Sequence, residues 1–219
     1  MAEKRDNPYV WVTWMPQIML GSRVCHWGPW FKTHYKGQLR PAPDHKLAVR
    51  TTEHAERVGK LTEMLRAAGR NVSVDGENGF RVRRGNLTVG GKADIVCWDA
   101  KGDYTVYDVK TGAKKDSDVI QVMLYMALLP YSKRFRGKTF AGSIIPSEGG
   151  YMNIPATAVD DAFRQRVGHC LNILAAPIPP EKRPSAAECR FCEVARADCS
   201  EKLWLDGDRA VEDEGELPF

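Results

Sequence analysis

The 219-residue chain has no apolar run approaching the roughly 20 residues of a membrane span. Its opening residues, MAEKRDNPYVWVTWMP, lack the continuous apolar core and small-residue cleavage site of a secretory signal. A cytoplasmic protein without a membrane segment is the resulting expectation. No internal repeat is visible, and the length suits one good core with a small satellite lobe. There is no G-x-x-x-x-G-K-[ST] phosphate loop. Cysteine is scarce, with six residues, and in a cytosolic chain these argue for ligands or buried thiols over a disulfide framework.

The net charge of +4 hides an asymmetry. From Leu205 to Phe219 six acids stand against one base, Arg209, so that tail carries −5 and the rest of the chain +9. A basic body suits a polyanionic partner. The tail ends in AVEDEGELPF and reads as a disordered, solubilising segment.

The most informative stretch runs from Gly91 to Tyr125. Lys92–Trp98 and Tyr104–Thr111 alternate apolar and polar residues, as half-buried strands do, and Ala100-Lys101-Gly102 between them suits a bulged hairpin turn. If Asp99 and Asp103 close the turn, Asp94 falls opposite Asp108, with Cβ atoms about 5 Å apart on one face. Lys110, two residues on, shares that face. Two carboxylates so close raise one another's pKa unless a cation intervenes. Asp94, Asp108 and the Val109 carbonyl therefore offer oxygen ligands to Mg²⁺ or Mn²⁺. Lys110 is placed to orient or deprotonate a water, or to offset developing charge.

Other segments frame this hairpin. Thr51–Ala68 has helical spacing, with Thr51 or Thr52 as a cap, Gly69 as a stop and His54 in its first turn. The pieces VSV and FRVRR read as strands, and Arg81, Arg83 and Arg84 form either a solvated edge or a set of phosphate contacts. A helix from about Asp116 to Leu129 is apolar almost all round and should be buried. Gln121 and Tyr125, four apart, make its one polar stripe, and a buried amide there needs a partner. Thr139–Ile145 and Gly150–Ile154 read as strands and Thr157–Ala175 as an amphipathic helix. The aromatic residues between Tyr9 and Tyr35 pack on the core, wrap a metal-binding lobe, or stack bases.

Cys97 and Cys170 lie on apolar faces and read as core thiols. Cys189, Cys192 and Cys199 form C-x2-C-x6-C, and Cys25 is the best remaining fourth ligand. Four thiolates hold Zn²⁺ or an iron–sulfur cluster equally well. Joining Cys25 to Cys189 closes a very long loop, worth on the order of 5 kcal/mol against the unfolded chain.

Gly91-x-x-Asp94, Asp108-Val109-Lys110 and Gln121-x-x-x-Tyr125, in that order, resemble the PD-(D/E)XK nuclease superfamily, in particular its RecB-like branch. The resemblance implies an α/β fold, a central mixed β-sheet flanked by helices in a restriction-endonuclease-like core. It implies a Mg²⁺- or Mn²⁺-dependent DNA exonuclease acting on single strands or ends, and the short chain without a helicase motor or phosphate loop suits a standalone nuclease. It further implies that His54 completes the metal shell, with His45 as a rival, and that Gln121 and Tyr125 contact substrate near the scissile phosphate. One N-terminal cysteine with a C-terminal trio is similar to the iron–sulfur RecB-like nucleases, including the AddB nuclease domain and the CRISPR-associated exonucleases. There the cluster is [4Fe–4S]; the last gap here has six residues where five are common. The implied organisation is a cluster-binding lobe of residues 1–50 and 176–204, a nuclease core of 51–175 and the tail of 205–219. That tail also resembles the acidic, Phe-terminated ends of single-stranded-DNA-binding proteins, which implies docking on a protein partner or competition with DNA. The reading from another class is a non-catalytic nucleic-acid-binding or adaptor subunit of a recombination or CRISPR-adaptation complex; intact Asp94, Asp108 and Lys110 count against it.

Overall fold

The computed structural model describes residues 2–37 and 44–203, and only the main chain at 44–50 and 75. The expectations on the His45 side chain and on the acidic tail lie outside the described residues. Strands β1 (Glu3–Lys4) and β2 (Tyr9–Trp11), helices α1 (Pro16–Met19) and α2 (Trp27–His34), and strand β3 (Tyr35–Lys36) come first. The long helix α3 (Asp44–Ala67) precedes β4 (Asn71–Val74), β5 (Gly79–Arg84), β6 (Leu87–Lys92), β7 (Ile95–Trp98) and β8 (Tyr104–Val109). Helix α4 (Asp116–Leu128) leads to β9 (Phe140–Ile145), β10 (Met152–Ile154), α5 (Asp161–Ala175) and α6 (Ala186–Phe191).

A mixed five-stranded sheet, in the order β10–β9–β8–β7–β4, is the centre of the molecule. Its β8–β9 pair is parallel and its other pairs antiparallel. Parallel neighbours need a crossover connection, and α4 supplies it. On one face Val96 and Val106 join Ile120, Val122 and Leu124 of α4 and Phe163 and Leu171 of α5 in the main core. On the other face Ile95, Val109 and Ile145 pack under Leu61, Val58 and Leu65 of α3. Alternation along each strand thus feeds two separate apolar layers, which is why both helices have a face to bury. Gly142 of β9 permits a close approach of α4: a Cβ there would overlap Val122 Cγ1 and stand 2.8 Å from Met126 Sδ.

A three-stranded sheet, β2–β6–β5, lies beside the first. The expected single strand Lys92–Trp98 is therefore divided. Lys92 ends β6, and Ala93-Asp94 carries the chain into the five-stranded sheet. The in–out alternation runs unbroken through that switch, so it gave no sign of it. The second hairpin strand ends at Val109, short of Thr111, although Lys110 N–H still donates to Ile145 O at 2.9 Å.

Helix α3 begins at Asp44, so Thr51 and Thr52 lie within it instead of capping it, and His54 lies past the first turn. Gly69 does stop it: at φ +74° it bonds to Arg66 O while Arg70 N–H reaches Leu65 O, a Schellman closure. Helix α5 starts at Asp161, later than Thr157, because Asp160 Oδ1 accepts Phe163 N–H at 2.7 Å and caps it.

The N-terminal segment packs against the stretch that follows α5. Ala2 N–H donates to Asp198 Oδ1 at 3.1 Å, and Trp30 Nε1 to Ala176 O at 2.7 Å. Trp27 and Trp30 pack with Val194, Cys25, Cys192 and Cys199 in a core of their own.

Candidate active site

The hairpin turn fixes the register of everything that follows. Asp99 Oδ1 accepts the N–H groups of Lys101 and Asp103 at 2.9 and 3.0 Å, and Gly102 takes φ +84°. The ladder then pairs Trp98 with Tyr104 through to Ile95 with Tyr107. Asp94 and Asp108 occupy the next position beyond, on the α4 side of the sheet, two residues from Val96 and Val106.

Each carboxylate is held differently. Asp94 Oδ2 accepts Val109 N–H at 2.8 Å and faces His54 Nε2, from α3, at 3.2 Å. Asp108 is 2% exposed. Its Oδ1 accepts from Gln121 Nε2 at 2.9 Å, and the same amide reaches Tyr125 Oη at 3.3 Å. Its Oδ2 lies 2.8 Å from Lys110 Nζ, yet it is buried without a donor in hydrogen-bond alignment. Lys110 Nζ also stands 3.4 Å from Asp118 Oδ1.

The electrostatics follow from burial. Desolvation pushes the Asp108 carboxyl up to about 7; Lys110 opposes the shift and Asp94 adds to it. Burial also works against the Lys110 ammonium, but Asp108, Asp118 and Asp94 outweigh it and hold its pKa above the ordinary value. The two shifts pull against each other across one contact. The consistent account is a lysine that stays charged beside a carboxyl for which full ionisation is costly without further positive charge. As an ammonium, Lys110 is suited to orienting groups and offsetting charge. Tyr125, 3% exposed, has its phenol pushed up by burial and by the two aspartates, so it remains a neutral hydroxyl.

The residues fit a hard divalent ion by chemistry. A buried carboxylate oxygen whose one close partner is the Lys110 ammonium, a second carboxylate and an imidazole converge at one sheet end, and such donors suit Mg²⁺ or Mn²⁺. Among the described residues, no three His, Cys, Asp or Glu side chains are gathered so as to hold an ion as they stand. Lys110 takes the cationic place beside Asp108.

Three supporting residues escaped the sequence reading. Asp118 accepts Lys115 N–H at 2.8 Å at the start of α4 while facing Lys110; its signal was an acid in the first turn of an apolar helix. Asn78, 1% exposed, donates from Nδ2 to Asp94 O at 3.4 Å and to Ser73 O at 2.9 Å, and Ser73 Oγ bonds its Oδ1 at 2.5 Å. Nothing in E-N-G announces that lock. A cleft of about 320 Å³, lined in part by Trp14, Gln17, Lys32, Ser117 and Gln121, opens onto the site.

A second cluster stands apart. Cys25, Cys189, Cys192 and Cys199 line one small hollow together with Lys182 and Lys202. Glu188 ties its walls by accepting the N–H groups of Val24 and Cys25 at 2.7 and 3.0 Å. Burial pushes the Cys199 thiol up, with Cys192 and Cys25 adding to the rise. Cys97 and Cys170 are buried in the body of the protein, where burial raises both thiols. The donor set fits a thiophilic metal. The hollow measures about 20 Å³, room for about one water, so the sulfurs would have to draw together to hold a single ion and the hollow would have to widen for a four-iron cluster.

A family model described as the PD-(D/E)XK nuclease superfamily matches residues 29–197. The chain belongs to that superfamily. The matched span takes in His54, both aspartates, Lys110 and the Gln121–Tyr125 pair, and leaves out Cys25 and Cys199. No curated protein matches this PD-(D/E)XK chain. A solved structure titled "Crystal structure of SSO0001" is similar to it at 15% identity and a TM-score of 0.45, covering 92% of this chain and 89% of that one.

Proposed function

We propose that this PD-(D/E)XK protein is a Mg²⁺- or Mn²⁺-dependent DNA exonuclease acting on single strands or ends, with Cys25, Cys189, Cys192 and Cys199 holding a structural metal centre. The observation that carries the catalytic reading is Asp108 Oδ2, a buried carboxylate oxygen without an aligned donor beside a charged lysine. A protein that merely kept the fold has no use for that costly group. Preference for ends and single strands rests on the RecB-like resemblance alone.

Asp94, Asp108, the Val109 carbonyl and His54 would hold the ion. When bound, it polarises a phosphoryl oxygen and acidifies a water. The protein's own groups do the positioning. Hydrolysis makes one P–O bond from water and breaks another, and the departing oxygen takes a proton. Gln121 fixes the Asp108 carboxylate, Tyr125 backs Gln121, and the Lys110 ammonium offsets charge gathering on the phosphoryl oxygens. In the cysteine centre, the RecB-like motif favours [4Fe–4S], and Zn²⁺ is the second reading because four thiolates hold either group.

The test is one preparation, purified without oxygen, with metal analysis, a visible spectrum and assays on labelled single- and double-stranded DNA in Mn²⁺ or EDTA. Cleavage should require Mn²⁺ and fall by about 10²–10³ or more in Asp108→Asn and in Lys110→Ala. Undiminished cleavage in both variants would sink the site, and a colourless zinc protein would remove the iron–sulfur centre.

A further inference from the structure

The three-stranded sheet β2–β6–β5 buries one face and leaves the other to solvent. Val10, Val82 and Val89 point inward to the main core. The register places Trp11, Gly90 and Arg81 in one cross-strand row, and Tyr9, Thr88 and Arg83 in the next, all on the outward face. Gly90 has a clear reason to be glycine: a Cβ there would overlap Tyr9 and come within 3.2 Å of Trp11 Cε3. Its absence lets both rings lie down on the strand, stacked at 6.2 Å with 23° between their planes.

The charge around this floor is positive. Arg5 sits over the Tyr9 ring at 5.7 Å. Arg81 and Arg83 are exposed, and neither has an ion pair among the described residues. Arg5, Tyr9, Trp11, Trp14 and Arg81 together line an open hollow of about 370 Å³. Trp14 also lines the cleft that reaches Gln121, and Gln121 bonds Asp108. One aromatic side chain thus borders both the basic hollow and the cleft whose wall includes Gln121.

We propose that this outward face is a binding platform for single-stranded DNA, which feeds the strand past Trp14 into the catalytic cleft. Flat aromatic rings accept a base of any identity by stacking, and flanking arginines hold the phosphates. A duplex cannot use it, because its bases already stack on each other. The inference deepens the nuclease reading and rests on it for the direction of the path.

The test uses the full-length protein carrying Asp108→Asn, with fluorescein-labelled (dT)20 as probe, read by anisotropy across a salt series. Trp11→Ala should weaken binding about ten-fold, with Trp11→Phe restoring most of it. Arg81→Glu with Arg83→Glu, both on the surface, should weaken binding more and lower the salt slope by about 0.7 for each phosphate no longer neutralised. With Asp108 intact, Trp11→Ala should raise KM for a long single strand, leave kcat within about two-fold and spare cleavage of a dinucleotide. Unchanged affinity in both Trp11→Ala and the arginine pair overturns the platform. Equal losses on blunt duplex, or tighter binding of U20 RNA than of (dT)20, overturn its assignment to single-stranded DNA. Cleavage surviving Asp108→Asn defeats the nuclease site instead, and leaves the binding result to be judged on its own.

Discussion

Gln121 is the residue on which the catalytic geometry most visibly depends. Its amide divides between Asp108 Oδ1 at 2.9 Å and Tyr125 Oη at 3.3 Å. Truncating it leaves a buried carboxylate oxygen without its donor, a loss of about 1–3 kcal/mol. For a chain of this size that is a fall in Tm of roughly 2–12 °C. The penalty depends on the carboxylate's charge, so in an Asp108→Asn background Gln121→Ala should cost less. Thermal unfolding of the four members of that cycle measures the coupling. Equal costs in both backgrounds would show that Gln121 packs against Asp108 without serving it. The need for such a partner was legible in sequence, because a lone amide on an all-apolar helix must bond to something. The lock on Asp94 was not, since Asn78 reaches Asp94 O from a short turn in an unremarkable E-N-G.

At the scale of elements, two glycines without positive φ behave oppositely. Gly59 lies on the exposed side of α3, and a Cβ added there would meet nothing within 4 Å. Gly59→Ala should raise stability by about 0.5–1 kcal/mol, since alanine loses less backbone freedom in a helix. Gly142 lies under α4, and Gly142→Val would drive a side chain into Val122 and Met126. Overpacking of this kind costs about 1–3 kcal/mol. It also lifts the helix carrying Gln121 off the sheet carrying Asp108, so activity should fall further than the Tm shift explains. Chemical denaturation of both variants, with cleavage assays, checks the pair. Periodicity found α4, α5 and most strands within a few residues, because each buries a regular face. It missed the change of sheet at Ala93-Asp94, because alternation continues across the switch and only pairing partners differ. It placed the start of α3 too late, since the sequence offers a plausible threonine cap inside the helix.

Across the whole molecule, the N-terminal segment is held to α5 partly by His34. Its ring stacks on Trp30 at 4.5 Å between centroids, and its Nε2 lies 3.1 Å from Leu174 O. Burial lowers its pKa; the Leu174 carbonyl opposes the shift and Lys4 adds to it. The folded protein therefore prefers the neutral ring. Above the unfolded value of about 6.5 both states are neutral and the contribution to stability is complete. As pH falls below that value the unfolded chain takes the proton first, and stability is lost until the folded pKa is passed. Asp108 works in the other direction, because its raised pKa makes protonation favour the fold as pH drops through about 7. The total slope therefore mixes both groups, but the difference between wild type and His34→Gln isolates the histidine. Between pH 7.5 and 5.5 the wild-type Tm should fall relative to the variant's. Parallel curves would mean that His34 protonates as readily in the fold as outside it, and that the join between the N-terminal segment and α5 does not depend on its neutral ring.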